Sequence, residues 1–169
     1  MPRQIVPGGT AVTFKQAVEQ TPNFASAWHV GLRALRKRDR IHVRTDEPAR
    51  LTGSVDIDTT LKRHDPRGSR WDFAIGYQHS NRSDEFIYWV EVHTGNDAEL
   101  KVVLRKLEWL KNWLDADGSR LSRFKREFVW IASGATSFTR GAPQRKVLAA
   151  KGLNYRGSSL HISTLRADP

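Results

Sequence analysis

Asp72 lies inside a short segment that is otherwise apolar, residues 71–77 (WDFAIGY). Glu91-Val92-His93 closes a second such segment, residues 86–93 (FIYWVEVH). Both segments are rich in aromatic and β-branched side chains and read as strands. If residues 78–85 form the loop, Tyr77 pairs with Phe86, and the ladder continues as Ile75–Tyr88, Phe73–Val90 and Trp71–Val92. Every one of those pairs is apolar, as a core-facing sheet surface requires. The same register sets Asp72 opposite Glu91 on the other face, with His93 two residues along. Side chains directly opposed across a ladder have Cβ atoms about 5 Å apart. Two carboxylates held that close repel, so one takes up a proton or the two share a cation. A hard divalent ion such as Mg²⁺ or Mn²⁺ suits paired carboxylate oxygens.

Parity extends the acidic face. In residues 53–61 (GSVDIDTTL) Val55 and Ile57 match the apolar side, which assigns Asp56 and Asp58 to the side of Asp72 if that segment pairs alongside. The bland alternative is a solvated face whose acids pair with nearby arginines. For His93, a structural hydrogen-bonding role stands beside a catalytic one.

The surroundings carry the opposite charge. The chain has 169 residues, with 28 Lys and Arg against 18 Asp and Glu, a formal net charge of +10. Arginine outnumbers lysine 19 to 9, which favours forked contacts to phosphate. An excess of this size points to a polyanionic partner, because neutralising phosphates releases condensed counterions. The basic residues cluster: Arg33, Arg36, Lys37, Arg38 and Arg40; then Arg123, Lys125 and Arg126; then Arg145 and Lys146. A positive surface around a negative centre is the electrostatic plan of a metal-dependent phosphodiesterase.

Other chemistries find no support. There is no cysteine, hence no disulfide, thiolate site or cysteine nucleophile, which fits a cytoplasmic protein. No apolar run approaches the roughly 18 residues that span a bilayer, and the N-terminus has no apolar signal core. No membrane role is expected.

The elements that must position these residues follow from periodicity. Thr13 and Gln16 are spaced as a capping box opening a helix over 13–20. A second helix is expected from Phe24 to about Arg38, with Asn23 as its N-cap. Strands at 53–61, 71–77 and 86–93 come next. Gly95-Asn96-Asp97 leads into the clearest helix, 98–114, with Leu100, Val103, Leu104, Leu107, Leu110 and Leu114 as its apolar stripe. Residues 127–132 read as a buried strand, a short helix follows Pro143, and 159–165 form a last strand. We expect one domain over residues 1–169, of mixed α/β class, with a mixed central sheet flanked by helices.

The helix–three strands–helix–strand order, the Asp on the second strand and the Glu-x-x motif on the third resemble the PD-(D/E)xK nuclease superfamily. The resemblance covers about residues 13–132, leaving a helix–strand extension over about 133–169, and its motif is short. It implies a restriction-endonuclease-like αβββαβ core and a metal-dependent endonuclease acting on nucleic acid, DNA ahead of RNA. It implies Asp72 and Glu91 as ligands of Mg²⁺ or Mn²⁺, the Val92 backbone carbonyl as a third, and Glu19 on the first helix as a further candidate. Phage defence, mobile elements and repair are the settings such small basic nucleases occupy. Trp71 replaces the motif proline, a minor departure. His93 stands where the motif has lysine, a larger one. Imidazole orients water or accepts a proton but carries no permanent charge. Lys101, Arg105 or Lys106 on the following helix are candidates to supply that charge. The alternative is a module that has lost catalysis and binds nucleic acid or a protein partner. Cutting both strands of a duplex with one site would call for a homodimer or a partner.

Overall fold

In the computed structural model, which describes residues 11–134 and 138–162, Thr13 opens the first helix through the expected capping box. Its hydroxyl accepts the Gln16 N–H at 3.2 Å while Gln16 Oε1 accepts the Thr13 N–H at 3.0 Å. This helix, α1 (Phe14–Glu19), buries Phe14, Ala17 and Val18. The N-terminal segment and residues 163–165 of the expected last strand lie outside the described residues.

The helix expected over Phe24–Arg38 does not form. Gly31 has φ 59°, a left-handed conformation that a continuous helix excludes, and Asn23, the expected N-cap, has φ 67° where a cap is extended. Between them β1 (Trp28–His29) pairs antiparallel with residues 54 and 55 of the next long strand. The helical spacing of Phe24, Ala27 and Trp28 thus serves a turn and an edge strand. Only α2 (Lys37–Arg40) is helical in this region, followed by the two-residue β2 (Val43–Arg44).

The strand expected over 53–61 divides in two: β3 (Leu51–Asp56) and α3 (Ile57–Leu61). Asp56 ends the strand by accepting the Thr59 N–H at 2.9 Å, as a helix N-cap does. The β-branched Thr59 and Thr60 suited a strand, but this local cap prevails. The next strands are β4 (Phe73–Tyr77) and β5 (Phe86–His93), with the expected pairs Tyr77–Phe86, Ile75–Tyr88 and Phe73–Val90. A 19-residue helix, α4 (Asp97–Asp115), crosses over to β6 (Lys125–Ala132), which runs parallel to β5. The short helix α5 (Pro143–Ala150) returns the chain to β7 (Leu153–Tyr155), parallel to β6.

The result is a mixed six-stranded sheet in the order β1-β3-β4-β5-β6-β7, flanked by helices. The last strand, β8 (Leu160–His161), pairs with β2 in a separate parallel ribbon.

Both faces of the sheet are buried. Phe73, Ile75, Tyr77, Tyr88 and Val90 point toward a core completed by Leu35, Val43, Leu160 and Ile162. Val55, Ala74, Ile87 and Trp89 point toward a second core, built on Val103, Leu107, Leu110 and Leu114 of α4. This corrects two expectations. Trp71 precedes β4 and packs into the α4-side core, not beside Val92. Asp56 pairs with Phe73, and Val55 with Ala74, which reverses the parity assigned to β3. The register shift between Leu51 and Gly53 lies in the same strand.

Candidate functional site

The ladder between β4 and β5 stops at Phe73–Val90, and side chains take over its hydrogen bonds. The Asp72 N–H donates to Glu91 Oε2 at 3.2 Å, and the Val92 N–H donates to Asp72 Oδ2 at 3.1 Å. Each carboxylate therefore satisfies a backbone donor of the opposite strand end. The two acids do meet, as the register required. Their face is not solvated, however: Glu91 is 0% exposed and Asp72 6%.

What covers them is α4. Lys106 projects from its inward face, three residues after Val103 and four before Leu110, both fully buried. Its ammonium donates to Glu91 Oε1 and, at 3.3 Å, to Asp72 Oδ1. The four buried Val and Leu residues of α4 contribute roughly 2 kcal/mol each, enough to fix the helix while carrying a lysine inward. Desolvating an ion costs several kcal/mol, so the ammonium and the carboxylates require one another. Burial pushes the Glu91 carboxyl well above the usual range, the Asp72 charge adds to this, and Lys106 opposes it. Burial likewise raises Asp72, against Lys106, the Val92 N–H and Arg36. For Lys106 burial works downward, but the charges of Glu91 and Asp72 prevail and hold it above the ordinary lysine value. Of the three cations proposed on this helix, Lys106 meets the acids; Lys101 and Arg105 are exposed.

His93 stands beside this triad. Its Nδ1 is 3.8 Å from Glu91 Oε1, and its Nε2 is 2.6 Å from Glu99 Oε2. Asn96 caps α4 by accepting the Glu99 N–H at 3.1 Å, which holds Glu99 in the first turn, against the end of β5. Glu99 is a site residue that the strand motif did not reveal. The signal was the Asn96 cap, which fixes which first-turn acid turns back toward the strand.

Arg36 reaches the same place from the other side. Its Nη2 is 3.6 Å from Asp72 Oδ1, and its Nε donates to Asp39 Oδ2 at 2.7 Å. A polar cleft of about 370 Å³ opens here, lined by Arg36, Arg38, Asp39, His42, His93 and Ser133. No family model, curated protein or solved structure matches this chain.

The remaining candidates lie elsewhere. Glu19 pairs with Lys15 at 3.9 Å on the exposed side of α1. Asp58 is held by Arg70 at 3.0 Å, and Asp56 is occupied as the α3 cap. Arg33, Lys37, Arg38 and Arg40 are exposed near the cleft, with Arg40 donating to the Leu35 carbonyl at 3.0 Å. Lys125 pairs in register with Phe86, five residues before Glu91. At about 3.3 Å per residue, Arg123, Lys125 and Arg126 sit on the order of 16 Å away, at the opposite end of β5. Arg145 donates to the Phe138 carbonyl at 3.0 and 3.2 Å, leaving Lys146 exposed beside it.

Among the described residues, no group of three or more His, Cys, Asp or Glu side chains is arranged to hold a metal ion. A divalent cation at this site would draw on the carboxylate oxygens of Asp72 and Glu91 and on main-chain oxygen. That donor set fits Mg²⁺ or Mn²⁺ in kind, and a single cation already bridges both acids. Among the described residues, no helix is long and apolar enough to cross a membrane.

Proposed function

We propose that this protein is a divalent-metal-dependent nuclease hydrolysing phosphodiester bonds, with DNA preferred to RNA, on a restriction-endonuclease-like core. The observation that carries this reading is Lys106, whose ammonium joins Asp72 and Glu91 at adjoining strand ends. Two acids and a lysine are the chemical content of the PD-(D/E)xK motif. Here the lysine comes from the helix after the third motif strand instead of from position 93. The order α1, β3, β4, β5, α4, β6 is compatible with that core.

In this reading Asp72, Glu91 and the Val92 carbonyl would hold Mg²⁺ or Mn²⁺, which would supply Lewis-acid polarisation of the phosphate. Lys106 keeps positive charge at the buried acids and donates hydrogen bonds toward the reacting oxygens. The bond from His93 Nε2–H to Glu99 leaves Nδ1 as the ring's proton acceptor, on the Glu91 side. His93 then takes the proton of the attacking water. The exposed Arg33, Lys37, Arg38 and Arg40 neutralise the substrate backbone.

One observation favours a second reading. Glu91 is fully buried and Lys106 already balances the acid pair, as in a closed structural triad. A catalytically silent module binding nucleic acid or a protein partner would have this arrangement.

Incubating plasmid and single-stranded DNA with the protein in Mg²⁺ and in Mn²⁺ separates the two. Cleavage that Asp72→Asn and Glu91→Gln abolish supports the nuclease. Salt-sensitive binding without cleavage in either metal overturns it in favour of the silent module. Cutting of both duplex strands would call for two sites, read from the mass in solution as a homodimer.

A further inference from the structure

Arg36 has more hydrogen-bonding capacity than the protein uses. A guanidinium carries five N–H donors in a rigid fork. Among the described residues, its one hydrogen bond is from Nε to Asp39. At 3.6 Å, the approach of Nη2 to Asp72 is an ion pair too long for a hydrogen bond. The side chain is nonetheless well fixed. Asp39 is 6% exposed, and the guanidinium carbon lies 5.2 Å from the centre of the Phe73 ring. A rigid cation with spare donors, 37% exposed at the mouth of a polar cleft, is prepared for an oxyanion.

Asp39 explains the preparation. A nearly buried carboxylate needs a cation, and Arg36 supplies it at 2.7 Å, with Arg38 Nε farther away at 3.8 Å. Binding through Nε fixes the plane of the guanidinium and leaves its terminal N–H groups without a hydrogen bond among the described residues. His42, His93 and Ser133 line the same cleft, with polar side chains that suit phosphate oxygens.

We propose that Arg36 is a phosphate-binding residue that grips the substrate's phosphodiester beside Asp72, and that Asp39 is its positioning residue. The assignment rests on the nuclease reading only in naming a nucleic-acid phosphate; the anion site stands by itself. Lysine at position 36 would keep the charge but lose the fork.

The test uses the full chain, with inorganic phosphate as the binding probe and a short DNA oligonucleotide as the cleavage substrate. Phosphate affinity is measured by calorimetry in every variant, and the ¹⁵N side-chain signal of Arg36, identified by its absence from Arg36→Lys, locates the binding in wild type. In wild type this signal shifts on titration. Arg36→Lys and Arg36→Gln weaken phosphate binding about tenfold, the loss expected for a charged hydrogen bond. Asp39→Asn weakens binding less, and adding Asp39→Asn to Arg36→Lys causes little further loss. In cleavage, Arg36→Lys lowers kcat/KM about 10²-fold, with a raised KM carrying the loss of phosphate affinity. Far-UV circular dichroism confirms that each variant folds. An unmoved Arg36 signal, or equal phosphate affinity in Arg36→Lys and wild type, overturns the proposal. A wild type that binds phosphate through Arg36 but cleaves nothing defeats the nuclease reading and leaves the anion site standing. A wild type that cleaves while Arg36→Lys cleaves equally well does the reverse.

Discussion

The Lys106 ammonium lies against the Glu91 carboxylate, although the two residues are 15 positions apart on different elements. The contact joins the buried face of α4 to the end of β5, and Asp72 shares the same ammonium at 3.3 Å. Removing the lysine leaves two buried acids with Arg36 beside Asp72 and His93 beside Glu91. Lys106→Met is therefore expected to destabilise the fold by about 3 kcal/mol at neutral pH, measured by denaturant unfolding. The deficit shrinks as pH falls and the acids take up protons. Mn²⁺ should raise the variant's melting temperature more than it raises that of wild type. An equal response in both would show that the acids are not accessible to a cation.

Glu91 gives a pH dependence of defined sign. Its pKa is raised above the ordinary 4.5 by burial first and by Asp72 second. Folding thus takes up a proton between the unfolded and folded values. The stability this contributes is complete below the unfolded value and is lost as pH rises through the folded one. Glu91→Gln removes the carboxyl and should flatten that decline in unfolding free energy. Parallel profiles for variant and wild type would contradict the assignment.

In the proposed nuclease, His93 and Glu99 divide a task. Both side chains are about one-third exposed, so neither supports the core. His93→Gln should lower the single-turnover cleavage rate about 10²-fold with a melting temperature near wild type. Glu99→Gln keeps the ring but weakens its orientation, so a smaller fall is expected. A large loss of stability in either variant would mark the pair as structural.

Gly53 tests the edge strand β1. Its φ is 133°, and a Cβ there would lie 2.0 Å from Trp28 Nε1, which donates to the Thr52 carbonyl at 3.1 Å. Gly53→Ala should cost about 2 kcal/mol or more in thermal unfolding and displace Trp28, seen as altered tryptophan fluorescence. Unchanged stability would mean that β1 is not held in this way.

The α1 capping box, the register from Phe73–Val90 to Tyr77–Phe86 and the amphipathic α4 were legible in the residues, because caps, strand parity and helical periodicity are local signals; the expected Trp71–Val92 pair did not form. The approach of Asp72 to Glu91 followed from that register. Lys106 was legible only as one of three cations on its helix. Its place within the buried stripe of Val103, Leu107 and Leu110 was the distinguishing mark. Residues 24–38 misled, since their helical spacing was overridden by left-handed turns and by pairing of Trp28–His29 with β3. Residues 53–61 misled in another way, since Asp56 caps a helix where strand propensity ran high.

The sequence by itself determined that two acids and a histidine share one place on adjacent strands within a basic chain. Only the tertiary structure decided that this place is buried, because whether a sheet face meets water depends on what packs over it. It also decided which cations arrive there. Lys106 comes by way of a crossover helix and Arg36 by way of a turn anchored on Asp39. Such encounters across the chain follow from how helices and loops pack on the sheet, and no local spacing encodes them.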